Sequence, residues 1–129
     1  MISNLESILQ SIPEIQLAIV YGSFAAGTQR PDSDLDLAIA GARPFTDDFK
    51  VDLVNRLSGA LKREIDLIDL NVASGTVLKE ALTNGKVIKK VDSDLLGRVL
   101  KKMLFDEADF QIVRRKYLAQ RRKKVFDVG

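Results

Sequence analysis

The sequence predicts an α/β fold in which helices and strands alternate, and three observations predict it. Short apolar runs rich in Ile, Val and Leu occur at residues 15–21 (IQLAIVY), 35–40 (LDLAIA) and 64–70 (EIDLIDL), each of strand length and bounded by polar or glycine positions. Between them, apolar residues recur at threes and fours, the period of a helix. The second and third strands also carry aspartate on one parity and apolar residues on the other, so helices should cover the apolar face and leave the aspartate face open. With 129 residues, 46% of them hydrophobic, the chain suits a single domain with a real core.

Taken in order, residues 3–12 (SNLESILQSI) read as a helix. Ser3 with Glu6 fits a capping box, Leu5, Ile8, Leu9 and Ile12 form an apolar stripe, and Pro13 ends it. The first strand, 15–21, stops at Gly22, where the missing Cβ lets backbone come close to a ligand. Ser23 then opens a short FAA segment, which places its N–H and hydroxyl at a helix N-terminus, a position that favours an anion. Alone, this Gly-Ser pair reads as an ordinary helix cap.

The next stretch changes that reading. Arg30-Pro31-Asp32-Ser33 makes a polar turn, and the strand 35–40 follows. Side chains alternate along a strand, so Asp34 and Asp36 share one face, about 6–7 Å apart, opposite Leu35, Leu37 and Ile39. Two like charges so placed are costly unless a cation neutralises them, and oxygen-ligated Mg²⁺ is the usual partner when a substrate brings phosphates. After a turn at 41–44, a helix is expected over 46–63, with Phe49, Leu53, Leu57 and Leu61 on one face and Asp47 and Asp48 at its N-terminus. Arg43, Arg56, Lys62 and Arg63 read as surface cations without an assigned role.

In the third strand, Ile65 and Leu67 form the apolar face and Asp66 points in the same sense as Asp34 and Asp36. Asp69 has the opposite parity and reads as an end-of-strand or turn residue unless a bulge intervenes. A short helix over 74–84 should stop at Gly85 in the left-handed conformation, before a last strand, KVIKK, at 86–90. From 92 to about 124 the pattern is helical again, through Leu96, Val99, Leu100, Met103, Leu104, Phe110, Val113 and Tyr117. Unbroken, such a helix would span ~45 Å, against a radius of gyration of roughly 14 Å for a compact domain of this size. It should therefore project or break near 106–109, and its apolar surface should meet a partner, a second copy or its own sheet.

Charge is polarised along the chain. Residues 1–110 carry 13 Lys/Arg against 17 Asp/Glu, a net −4, while 111–124 carry seven basic residues and no acidic one. No aromatic platform accompanies the basic run, so it reads as a solvated helix end and not as a nucleic-acid site. Cys and His are both absent, which excludes disulfides, thiolate chemistry, catalytic triads and imidazole zinc ligands. Catalysis in this chain must run on carboxylates and a bound cation. No signal-like N-terminus or apolar run of membrane-spanning length is present, and a cytoplasmic location is expected.

The pattern G-S-x10-D-x-D, followed by a strand with a third Asp, resembles the DNA polymerase beta-type nucleotidyltransferase superfamily over about residues 10–92. The short chain further resembles its minimal nucleotidyltransferase (MNT) branch, whose members commonly act as antitoxins beside HEPN-domain ribonuclease toxins. The resemblance implies a small mixed sheet with helices on one face over residues 1–91, followed by a C-terminal helical extension and basic tail over 92–129. It implies that Gly22 and Ser23 hold the nucleotide phosphates, that Asp34 and Asp36 ligate both of two Mg²⁺ ions (Mn²⁺ being the alternative), and that Asp66 is the third carboxylate, near the attacking hydroxyl. The implied activity is transfer of AMP from ATP to a hydroxyl, a tyrosine, of a HEPN toxin, with the C-terminal helix available for homo- or hetero-oligomer contacts. Two alternatives remain open at this point: an antitoxin acting by contact alone with a vestigial or regulatory nucleotide site, and an adenylyltransferase for a small hydroxylated molecule.

Overall fold

The computed structural model describes residues 2–28, 30 and 33–104. Nine elements follow one another: α1 (Ile2–Gln10), β1 (Leu17–Tyr21), α2 (Ser23–Ala26), β2 (Leu35–Ala40), α3 (Asp47–Leu61), β3 (Ile65–Asp69), α4 (Gly75–Asn84), β4 (Lys86–Lys90) and α5 (Ser93–Leu104). The strands form one mixed sheet in the order β3-β2-β1-β4. β1 runs antiparallel to both β2 and β4, and β2 runs parallel to β3, the pairing a crossover through α3 permits.

Two cores form because both faces of the central strands are apolar over most of their length. On one face, Leu5 and Leu9 of α1 and Leu53, Leu57 and Leu61 of α3 bury Ala18, Val20, Leu35, Leu37 and Ile39. On the other, Leu78 and Ala81 of α4 and Leu95, Val99 and Met103 of α5 bury Leu17, Ile19, Ala38 and Ala40. The mixed α/β architecture is the expected one, but the aspartate-bearing face is open at one end only. Its parity runs from Asp36 into Ala38 and Ala40, which are apolar, lie in register with Ile19 and Leu17, and need cover. Helix α4 and the described part of α5 supply that cover together. The remainder of the expected C-terminal helix, the break near 106–109 and the basic run lie outside the described residues.

Local signals are borne out with three differences. Thr46 caps α3 by accepting a hydrogen bond from the Phe49 N–H (3.1 Å), and Lys62 ends that helix in the left-handed conformation. Helix α1 already begins at Ile2, so Ser3 lies inside its first turn and not before it as a capping box requires. Gly85 is extended (φ −77°, ψ 163°), not left-handed. It must be glycine because a Cβ would run into Ala81 O and the Ile19 side chain, a close approach of α4 to β1. In β4 a register shift opposite Ala18 and Ile19 turns Lys89 inward, where its Nζ donates to Leu9 O (2.8 Å) and Ile12 O (3.0 Å) at the end of α1. Burial holds that ammonium below its ordinary pKa.

Candidate active site

The strand register builds the site. Tyr21 pairs with Asp36 across β1 and β2, and Asp36 pairs with Asp66 across β2 and β3, so the three side chains form a row across the open end of one face. Strand neighbours stand about 4.8 Å apart. The Asp36 and Asp66 carboxyls are near enough for a proton to be shared between them, which favours the protonated form of Asp36. Burial first, then the Asp66 charge, that shared proton and the Asp34 charge, all push Asp36 above the ordinary carboxylate range.

Asp34 is exposed and precedes β2 by one residue, outside the sheet register. It reaches Asp36 through its charge, and among the described residues no three acidic side chains are gathered as a ready-made ion cage. The strand register thus brings Asp36 and Asp66 together, while Asp34, exposed just before β2, acts on Asp36 through its charge. As a donor set, three carboxylates with one pKa raised by its neighbours fit a hard divalent cation, which relieves the repulsion that the row carries alone.

Gly22 closes the row on the β1 side. Its backbone (φ 71°, ψ −144°) lies in a region open to glycine alone, and a Cβ there would overlap the Asp36 carboxylate. The sequence suggests that this glycine makes room for a ligand; the structure shows that its missing Cβ also makes room for Asp36. Ser23 follows as the first residue of α2, a single turn closed by Ala26 N–H to Gly22 O (3.1 Å) and ended by Gly27. The end of β1 thus places Ser23 next to Asp36 and Tyr21.

Tyr21 was not legible as a site residue. Its phenol is pushed up to about 12 by burial and by the charges of Asp66, Asp36 and Glu80, which keeps the proton on the hydroxyl. The available signal was its position directly before Gly22, on the parity that register turns toward the aspartates. Asp69 behaves as its parity predicts. It is buried on the far side of the row and accepts from the N–H groups of Phe45 (2.7 Å) and Asn71 (2.9 Å), fixing the turn after β3. Arg43 and Arg56 lie at the opposite end of the sheet, around two cavities of about 340 and 330 Å³ that meet at Phe49, away from the aspartates. A third cavity of about 420 Å³ runs between α3 and β3 on the face opposite the row and is lined by Val51, Val54, Ile65, Asp66 and Leu67.

Residues 3–94 match the family model for the polymerase beta nucleotidyltransferase domain. Over 84 residues the chain is 33% identical to the protein adenylyltransferase MntA of Shewanella oneidensis, a match that covers 65% of this chain and 60% of that relative's length. Among solved structures, a toxin-antitoxin with AMP-PNP aligns over 98% of this chain and 95% of its own, with 27% identity and a TM-score of 0.70. A complex of a tri-AMPylated Shewanella oneidensis HEPN toxin with an MNT antitoxin aligns over 98% and 97%, with 23% identity and a TM-score of 0.61, a likeness of fold.

Proposed function

The chain belongs to the polymerase beta nucleotidyltransferase family, and from that membership we propose that it is an antitoxin that transfers AMP from ATP to a tyrosine hydroxyl of a HEPN toxin, silencing it in the cytoplasm. The observation that carries the reading is the Asp36–Asp66 pair set in register beside Gly22 and Ser23, in a chain similar to a protein adenylyltransferase. Asp34, Asp36 and Asp66 are the residues that would hold two Mg²⁺ ions, whose bound charge would neutralise the triphosphate and the pyrophosphate that leaves. The N–H groups and hydroxyl at Gly22 and Ser23 orient the β- and γ-phosphates so that the α-phosphate faces Asp66. Asp66, on the outermost strand of the row, accepts the proton of the incoming hydroxyl on a carboxylate oxygen as the new P–O bond forms. Phosphoryl transfer asks for positioning and charge more than for reactive side chains, which suits a chain without His or Cys.

Transfer of label to the partner toxin from ATP labelled at the α-phosphate, with none from ATP labelled at the γ-phosphate, is the expected result. Label from the γ-phosphate alone would make the chain a kinase and overturn the proposal. Neutralisation by contact alone is the second reading, favoured by Asp34 lying exposed before β2, outside the sheet register that sets the other two carboxylates. Under it, the double substitution Asp34→Ala, Asp36→Ala would leave neutralisation intact, whereas under the enzyme reading neutralisation is lost.

A further inference from the structure

Asp36 and Asp66 are held by the sheet, but Asp34 is not, and the side chain that anchors its segment comes from the other end of the crossover. Arg63 follows the left-handed Lys62 at the junction of α3 and β3 and is half-buried. Its Nη1 donates to Arg30 O and to Ser33 O, both at 3.1 Å. The Ser33 carbonyl belongs to the peptide unit that leads into Asp34. The same guanidinium lies over the Phe24 ring, 4.9 Å from its centroid, and Phe24 is the neighbour of Ser23 in α2. One cation therefore touches both the segment that carries Asp34 and the helix that carries Ser23.

Among the described residues, the turn's own bonds, Ser33 N–H to Arg30 O (3.0 Å) and Arg30 N–H to Ser33 Oγ (2.7 Å), tie it only to itself. Its attachment to the sheet begins after Asp34, with Leu35 N–H to Glu64 O (2.9 Å). The guanidinium suits the task because its planar fork can bond two carbonyls while its face rests on a ring, which an ammonium does less well.

We propose that Arg63 is a positioning residue that fixes Asp34 relative to Ser23, so that the exposed carboxylate and the phosphate-facing serine are set before nucleotide arrives. The proposal rests on the reading of the site as a nucleotidyltransferase centre. It gives a role to a cation that sequence reading leaves on the surface.

The test compares Arg63→Met, which keeps the stem over Phe24 and removes the donors, with Arg63→Lys, which restores charge. Without nucleotide, exchange of the hydrogen-bonded amides of Arg30 and Ser33 should quicken about tenfold in Arg63→Met, the scale of losing charged hydrogen bonds, with Asp36 and Asp66 unchanged. In transfer assays kcat should fall about 10- to 100-fold, the cost of a displaced catalytic group, while KM for ATP stays near the wild-type value. Arg63→Lys should recover part of both. Unchanged exchange at Arg30 and Ser33 would overturn the proposal, as would a raised KM with intact kcat, which would make Arg63 a phosphate ligand. If Arg63→Met does not fold, the exchange of Arg63→Gln, which stays polar but is too short and uncharged to bond both carbonyls, decides in its place, and wild-type exchange there overturns the clamp. A wild-type protein that transfers nothing would fail the functional reading, while the exchange result would still judge the clamp.

Discussion

Gly22→Ala is the substitution whose cost can be worked most fully from the structure. The new methyl group meets two separate penalties. The backbone at φ 71°, ψ −144° is one that non-glycine residues adopt at a cost of about 1–3 kcal/mol. The Cβ would also overlap the Asp36 carboxylate, and forcing atoms into an occupied site costs typically about 1–3 kcal/mol more. The sum is about 2–6 kcal/mol, a large share of a small domain's stability. Gly27→Ala is a milder control without a steric part, because Gly27 is in the ordinary left-handed region (φ 74°, ψ 18°) and a Cβ would meet nothing within 4 Å. It should cost about 1–2 kcal/mol. The steric part can be isolated by a double-mutant cycle: in an Asp36→Ala background the obstruction is gone, and Gly22→Ala should lose only its backbone penalty. Urea unfolding followed by circular dichroism, without metal or nucleotide, measures each corner. A coupling of about 1–3 kcal/mol is expected. Additivity within about 0.5 kcal/mol would refute the claim that this glycine makes room for Asp36.

Other outcomes follow from the same row. Asp36 ionises with more difficulty folded than unfolded, so the cost of its charge grows as pH rises from the ordinary 3.8 through the raised folded pKa and is constant above it. Without metal, Asp36→Asn should therefore stabilise the protein at pH 7, with the gain vanishing below pH 4 in unfolding experiments. In a Tyr117→Phe background, ultraviolet titration should place the Tyr21 phenol at about 12, and Asp66→Asn should lower it. Lys89→Met leaves the carbonyls of Leu9 and Ile12 without their ammonium donor and should cost about 1–3 kcal/mol in thermal or urea unfolding.

What the sequence made legible is what depends on a single chain segment. The parity of Asp36 and Asp66, the opposite parity of Asp69 and the Thr46 start of α3 all rest on residues within a few positions of one another. Register across strands is different: that Tyr21 joins the aspartate row depends on β1 lying antiparallel to β2, which no local pattern states. The cover over Ala38 and Ala40 was hidden because the aspartates dominate the reading of their face, although alanine on the same parity signals a close-packed neighbour. Gly85 shows the limit from the other side. The residue type was informative, but its reason is the approach of α4 to β1 and not its own dihedral angles. Arg63 joins segments thirty residues apart, and its role exists only once α3 has carried it back beside Ser33.

The most direct test of the account is intact-mass analysis of the partner toxin after incubation with this chain, Mg²⁺ and each of the four nucleoside triphosphates. The account predicts mass increments of AMP with ATP alone, absent with Asp36→Asn and with Asp66→Asn although both variants remain folded. Increments that survive in those variants, or a toxin neutralised with no change of mass, would contradict it.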